Sequence, residues 1–399
     1  MAKKLGALWL LLAAVGLSSA VGLGLVEWVV RYKEAHRTSV PGSMPYLYYR
    51  HARYGQALVR GMNYFGWVHV DREGFRGPEV SLVPPPGVIR IMAVGASTTM
   101  DADVSRDDAA WPARLEYWLN RDGTGRKFEV INAGVGGYHL NDNVIRFEME
   151  LYRYHPNLII LFGASHQDLL SALAAAGRSQ APSRQARPDE VATQTPWGRW
   201  LEQHSLLYGK VVKRWLAMRG QFRGARHAQG TSSTDFGQAL AEGAQAFGHD
   251  LTGFLTLAAA AGIPVVVPAT VYMGYGGALS RDSAAILAAW HVTVPQASAS
   301  RMFEGYARYD SVTRAVASAY GATYLPAADS GFGDRSLYAE EDAVHFNDRG
   351  AEREAKSLAA ALERLEPWKQ SPVVHVDQAG KPAPAESRGQ IRARAASAP

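Results

Sequence analysis

Ser97, Asp342 and His345 are the residues of this 399-residue chain whose types and order could do chemistry. A nucleophilic hydrolase needs a Ser hydroxyl, a His that takes its proton, and an Asp that orients the His and stabilises the imidazolium. Asp342 and His345 are three residues apart, so on one turn they can face the same way. Each motif alone also has a purely structural explanation. Gly-x-Ser often caps a helix, and Asp-x-x-His often forms a surface turn. Their occurrence in this order in one chain favours the hydrolase.

The stretch before Ser97 has the composition of a strand buried on both faces, Val88 to Val94, VIRIMAV. Gly95 then allows the backbone to turn sharply. Open α/β sheets bind their ligands at the carboxyl ends of the strands. The sequence therefore predicts that the Ser97 hydroxyl lies at the ligand-binding edge of a sheet.

Two further apolar strands lead into stretches that could complete such a site. The strand at 128–131 runs into Asn132–Gly137, NAGVGG, where backbone N–H groups can approach a ligand closely and could bind an oxyanion. These glycines do not match the G-x-G-x-x-G pattern of dinucleotide binding, and the chain has no Walker pattern. The strand at 158–162 ends in GASHQD, 163–168, where a side-chain amide would complete an oxyanion hole.

Strands and helices alternate along the chain, which predicts an α/β fold with parallel strands, right-handed crossovers and helices on both faces of the sheet. Further strands are predicted at 263–268 and 323–325, and helices near 110–120, 141–153, 236–261, 303–320 and 349–364. The polar stretch at about 171–235 interrupts the alternation and is predicted to be an insertion or lid.

The N-terminus predicts a membrane anchor. Leu5–Val26 holds 22 uncharged residues, about 33 Å of helix, enough to cross a hydrocarbon core of ~30 Å. A cleavable signal peptide is the alternative, with a possible cleavage site at Ser18–Ala20. We therefore expect a single-pass protein of the inner (cytoplasmic) membrane with its catalytic domain in the periplasm. The predicted parts are a signal anchor at 1–30, a membrane-proximal segment at 31–87 that packs on the main domain, a hydrolase-like domain at 88–368, and a disordered tail at 369–399.

Composition excludes several other kinds of site. Cysteine is absent, which removes disulfides and thiolate chemistry. The His residues lack metal-ligand spacing, so neither a metal nor a cofactor is predicted. The net charge of +5 falls partly in the tail and forms no basic patch with interleaved aromatics, which argues against a nucleic-acid partner. Four acidic residues after the nucleophile are predicted to form a solvated turn: Asp101, Asp103, Asp107 and Asp108.

Together these blocks resemble the SGNH (GDSL-like) hydrolase superfamily, and within it the membrane-anchored bacterial branch, over roughly residues 70–365 apart from the insertion. Ser97 matches the nucleophile, Gly137 the oxyanion glycine of N-x-x-x-x-G, and Asp342 and His345 the D-x-x-H block. The resemblance implies a three-layer αβα, flavodoxin-like fold with a parallel sheet of about five strands.

The chain departs from the family pattern at two positions. Ala96 stands where the G-D-S motif has Asp, and Gln167 stands where the third block has Asn. Gln keeps the donor amide but is one methylene longer. The resemblance thus implies an oxyanion hole formed by Ser97, Gly137 and Gln167, and His166 is the alternative to Gln167 as donor.

The function that these observations favour is an extracytoplasmic serine esterase. It would remove acyl groups, with acetyl as the first choice, from an envelope or exopolysaccharide carbohydrate. Two alternatives stay open. One is a carbohydrate O-acyltransferase that uses the same triad. The other is a non-catalytic glycan-binding or assembly protein, which is suggested by Gln167 in place of the family's Asn. The expected partners are an acylated carbohydrate and, through the N-terminal helix, the membrane.

Overall fold

The structure is a computed structural model. It describes residues 2–35, 47–121, 125–175, 233–277 and 298–370, apart from Phe65 and positions 340–341, together with a few positions between 201 and 211. Most of the predicted insertion and of the predicted tail lies outside these described residues.

Helix α1 (Ala2–Ala35) holds a stretch that is long and apolar enough to cross a membrane. That stretch, Ala13–Lys33, has a mean hydropathy of 1.7, and none of it is buried. A signal sequence near an N-terminus can also form a helix of this kind.

The membrane-proximal chain forms two small antiparallel hairpins. They pair β1 (Tyr48–His51) with β2 (Gly55–Leu58), and β3 (Asn63–Tyr64) with β4 (Val68–His69). We call the described residues 47–78 the accessory segment. Most of its buried apolar side chains pack in one cluster with residues that flank Ser97 and the glycine-rich turn. The cluster includes Leu47, Leu58, Tyr64, Val68, Ala96, Met100, Val135 and Tyr138. The predicted packing of this segment on the main domain is confirmed.

The main sheet has five parallel strands, as the sequence predicts. They are β5 (Val88–Gly95), β6 (Lys127–Asn132), β7 (Leu158–Phe162), β8 (Val265–Pro268) and β9 (Thr323–Leu325). Their order in the sheet is β6-β5-β7-β8-β9, the 2-1-3-4-5 order of flavodoxin-like folds. The order reverses between β5 and β7, so the crevice for a ligand opens where these two strands end.

Helices cover the sheet in two layers. They are α2 (Ser97–Met100), α3 (Trp111–Arg121), α4 (Leu140–Met149), α5 (His166–Ala175), α6 (Ser233–Ala260), α7 (Ala299–Ala319) and α8 (Asp348–Leu365). Helix α3 packs on α8, whereas α4, α5 and α7 pack around α6. The helix predicted over 141–153 ends earlier, at Met149, because the chain leaves the helical backbone at Glu150 and continues as a 3₁₀ turn, Leu151–Tyr154.

Candidate active site

The loop that carries Ser97 is held tightly between the ends of β5 and β7. Thr99 Oγ1 donates a hydrogen bond of 3.0 Å to the Phe162 carbonyl at the end of β7. A Cβ at Gly95 would lie 2.2 Å from that hydroxyl and 2.3 Å from that carbonyl, so no side chain fits there. Glycine at this position therefore lets the backbone pass between the two strand ends and start α2 at Ser97.

Ser97, His345 and Asp342 form a continuous hydrogen-bonded row. His345 Nε2 lies 2.7 Å from Ser97 Oγ, and His345 Nδ1 lies 2.8 Å from Asp342 Oδ2. The second carboxylate oxygen of Asp342 accepts the backbone N–H groups of Val344 (2.7 Å) and His345 (2.8 Å). This local turn explains the spacing of three, because it fixes the carboxylate while leaving one oxygen for the imidazole. A Ser hydroxyl, an imidazole and a carboxylate thus stand in the order that acyl transfer requires.

The charges of the row stabilise one another. Burial alone would lower the pKa of His345, but the adjacent Asp342 and the nearby Asp103 and Asp101 outweigh burial and raise that pKa to about 9. Burial would raise the pKa of Asp342, yet His345 and two backbone N–H groups hold it well below its usual range. Both pKa shifts favour an imidazolium beside a carboxylate.

A second carboxylate faces the same imidazole nitrogen. Asp103 Oδ2 lies 4.0 Å from His345 Nδ1, and the Asp103 side chain is 23% exposed. Asp101 is 1% exposed, its Oδ2 accepts the Trp111 N–H (2.8 Å), and burial raises its pKa to about 7. The prediction of a solvated acidic turn is wrong for these two residues, because the turn is folded into the site instead of facing water. Sequence alone gave no signal for this, since only tertiary packing buries the turn.

The glycine-rich exit of β6 forms a tight turn docked on the nucleophile loop. The Val135 N–H donates to the Gly95 carbonyl (3.2 Å), and the Tyr138 N–H closes the turn onto the Val135 carbonyl (3.3 Å). Gly137 has φ 77°, the left-handed value that type II turns need at their third residue. Within the described part of the chain, no acceptor takes the N–H of Gly137 or of Ser97. Both groups are available to an anion.

In the stretch after β7, residues 163–168, the ring of His166 lies beside the hydrogen-bonded row of Ser97, His345 and Asp342. The His166 and His345 rings are nearly perpendicular, with centroids 6.5 Å apart, and His166 Nδ1 lies 2.6 Å from the Tyr306 hydroxyl. Burial, and next the positive His345, lower the pKa of His166 to about 3, so its imidazole is neutral. Gln167 is partly exposed, and no hydrogen bond joins its side chain to another described residue. Asp168 has a structural role, since its Oδ2 accepts the first N–H of α4, from Leu140 (2.9 Å).

Comparison with known proteins supports this description of the fold. The model of the GDSL-like lipase/acylhydrolase family matches residues 93–353, more than half of the chain. No curated protein matches.

Similar solved structures include three enzymes. One is the acetyl xylan esterase AlAXEase, 15% identical, with a TM-score of 0.39 over 69% of this chain and 100% of that chain. Another is the psychrotrophic esterase EstA from a Pseudoalteromonas species, 11% identical, with a TM-score of 0.38 over 70% and 98% of the two chains. The third is the lipase/acylhydrolase from Enterococcus faecalis, 14% identical, with a TM-score of 0.38 over 69% and 96%. By the match to the family model, with Ser97, Asp342 and His345 all inside it, this chain belongs to the GDSL-like lipase/acylhydrolase family of serine hydrolases.

Proposed function

We propose that this protein is a membrane-anchored serine esterase in which Ser97, His345 and Asp342 form the catalytic triad. The single observation that carries the proposal is the unbroken row from the Ser97 hydroxyl through His345 to Asp342, with contacts of 2.7 and 2.8 Å. A half-buried row of this order is what a Ser hydroxyl needs to act as a nucleophile.

The reaction proceeds in two acyl transfers. Neutral His345 takes the proton of Ser97 as Oγ attacks the ester carbonyl, and a tetrahedral oxyanion forms. The imidazolium, stabilised by Asp342, then returns the proton to the leaving alkoxide as the ester C–O bond breaks, which releases the alcohol and leaves an acyl-Ser97. Water attacks this acyl group with His345 again acting as base, and the carboxylic acid leaves with Ser97 restored.

The oxyanion is stabilised by donors at the edge of the sheet. We assign two of them to the backbone N–H groups of Ser97 and Gly137, which have no acceptor among the described residues. A third donor comes from the block after β7. Gln167 holds the family's Asn position, and His166 is the alternative.

We further propose that the substrate is an acylated carbohydrate of the envelope or an exported polysaccharide, with acetyl as the acyl group, and that the domain lies outside the cytoplasm. The support is the apolar helix at the N-terminus, Ala13–Lys33, which as a retained anchor holds the enzyme beside polymer as it is exported. O-acyl sugars of such a polymer are among the esters that the enzyme would meet there.

The chemistry is tested on the full chain in detergent with p-nitrophenyl acetate. One equivalent of p-nitrophenol per chain should be released in a burst and followed by steady turnover, and Ser97→Ala should abolish both. Ser311→Ala, an exposed Ser on α7, is the matched control and should react like the wild type. Turnover that needs an added glycan would identify a transferase, and no burst at all would contradict an enzymatic role.

The substrate and the location are tested separately. Acetate release from an O-acetylated polysaccharide, and none from the same polymer after alkaline deacetylation, is the expected result for the substrate. Because the chain has no Cys, Ser311→Cys introduces a single thiol. Labelling of that thiol by a membrane-impermeant maleimide in spheroplasts places the domain outside, and labelling only after lysis would contradict this topology.

A further inference from the structure

The hairpin of β1 and β2 in the accessory segment lies directly on the glycine-rich turn. The Gln56 side chain donates from Nε2 to the Gly136 carbonyl, and the Tyr138 hydroxyl donates to the Gln56 carbonyl at 2.5 Å. A Cβ on Gly136 would come within 2.5 Å of the Tyr48 hydroxyl. The hairpin and the turn are thus in contact on both sides of the Gly136–Gly137 peptide.

That peptide unit is the one whose N–H is assigned to the oxyanion. The carbonyl of Gly136 and the N–H of Gly137 belong to the same planar amide, so holding one end fixes the direction of the other. A donor on the carbonyl oxygen also polarises the amide and strengthens the N–H as a donor. The Gln56 side chain therefore acts on the oxyanion site through an intervening peptide.

The turn needs such support because two glycines form its centre. Gly136 and Gly137 have more conformational freedom than any other pair of residues, and a Gly-Gly peptide can flip between turn types at small cost. In the flipped orientation the Gly137 N–H would exchange places with the Gly136 carbonyl, which would repel an oxyanion. The hydrogen bond from Gln56 is lost in that orientation, so it favours the competent one.

We propose that Gln56 is a positioning residue for acyl transfer: its side-chain amide holds the Gly136–Gly137 peptide so that the Gly137 N–H meets the developing oxyanion. The proposal rests on the esterase function above. It also places part of the catalytic machinery outside residues 93–353, the range that the family model matches. The accessory segment then completes the oxyanion hole as well as linking the domain to the anchor.

The test compares variants of the full chain on p-nitrophenyl acetate. Gln56→Leu keeps the bulk of the side chain but removes the donor. Its kcat should fall by about 10-fold to 100-fold, less than the ~10²–10³ typical of losing an oxyanion donor itself. KM should stay within about twofold, because the peptide acts on the transition state more than on bound substrate. The midpoint of the pH profile should not move, since His345 keeps its carboxylates.

Arg50→Ala is the matched control, since Arg50 is exposed and pairs with Gln56 across the same hairpin. It should leave kcat unchanged. Gln56→Glu is the second variant, because it is nearly isosteric and replaces the donor with an oxygen that repels the Gly136 carbonyl; its loss of kcat should be at least as large. Wild-type kcat in a folded Gln56→Leu, or in Gln56→Glu if the first does not fold, overturns the proposal. An inactive wild-type protein would instead overturn the esterase function on which it rests.

Discussion

Asp103 faces the same nitrogen of His345 that Asp342 holds, with its Oδ2 4.0 Å from Nδ1. The loop that carries Asp103 is fastened close to the His345 block, because Asp348, at the start of α8, accepts both the backbone N–H (2.7 Å) and the hydroxyl (2.6 Å) of Ser105. Two carboxylates therefore share one imidazole. Asp342 accepts its hydrogen bond, and Asp103 adds negative charge beside it.

The first prediction concerns the pH dependence of kcat/KM. His345 is a base only when neutral, and the neighbouring carboxylates raise its pKa to about 9. The value of kcat/KM should therefore increase as pH rises, with its midpoint near that pKa, and level off above it. Asp103→Asn removes one negative charge, so the charged imidazole is less stabilised and the midpoint should shift to lower pH. The pH profiles of wild type and variant measure this.

Asp108→Asn is the control for that shift, since it removes the same charge from the same turn at a residue whose side chain is 70% exposed. Water screens that charge, and the midpoint should stay in place. An equal shift in both variants would mean that Asp103 acts only through net charge.

The second prediction separates the two carboxylates. Asp342→Asn should lower kcat by ~10⁴, as removal of the orienting carboxylate does in other triads, because the amide favours the wrong tautomer of the His. Asp103→Asn should cost far less in kcat, since its carboxylate lies beyond hydrogen-bond distance of the ring. Steady-state kinetics at a pH above both midpoints compares them. Losses of equal size would show that Asp103 also orients the imidazole.

Most of the fold could be predicted from the sequence. The strands of the main sheet are continuous apolar runs, such as Leu158–Phe162, and burial of every residue on both faces leaves little ambiguity. Ser97, Asp342 and His345 could be found because each lies in a short local pattern. The oxyanion role of Gln167 and the extent of the insertion stay predictions.

The contacts of the accessory segment could not be predicted. Its strands have two to four residues, too few for an alternating pattern. Gln56 bonds to a residue 80 positions away, and Arg76 to residues 24 to 31 positions away. Nothing in the local sequence distinguishes such side chains from solvated ones, because only the tertiary fold brings their acceptors near.

The third prediction concerns Arg76, which binds the C-terminal end of α2. Its buried guanidinium donates to the carbonyls of Met100 (2.8 Å) and Asp101 (2.5 Å) and to the Asp107 carboxylate (2.8 Å). Arg76→Met removes these hydrogen bonds and the ion pair with Asp107, so the free energy of unfolding should fall by about 3–5 kcal/mol. Urea unfolding followed by circular dichroism measures it. Arg72→Met replaces a side chain that is 85% exposed and should change the free energy of unfolding by less than ~0.5 kcal/mol. An equally small change for Arg76→Met would contradict the stabilising role of Arg76.

The last prediction identifies the third oxyanion donor. The family pattern points to Gln167, whereas the geometry favours His166, whose neutral ring stands beside His345 and contacts the Tyr306 hydroxyl through Nδ1. If Tyr306 donates to Nδ1, the imidazole proton is on Nε2 and can be donated to an oxyanion. His166→Phe keeps an aromatic ring in place without a donor, so kcat should fall by ~10²–10³ with little change in KM.

His166→Gln should recover much of that loss, because its amide nitrogen reaches about as far as Nε2, and Gln167→Ala should remain near wild type. The reverse pattern, a large loss for Gln167→Ala and a small one for His166→Phe, would assign the donor to Gln167. Gln167→Asn then tests the register of the loop. The shorter amide should preserve activity if the loop follows the family geometry and abolish it if the backbone here is adapted to the longer side chain. Burst and steady-state kinetics with p-nitrophenyl acetate measure all four variants.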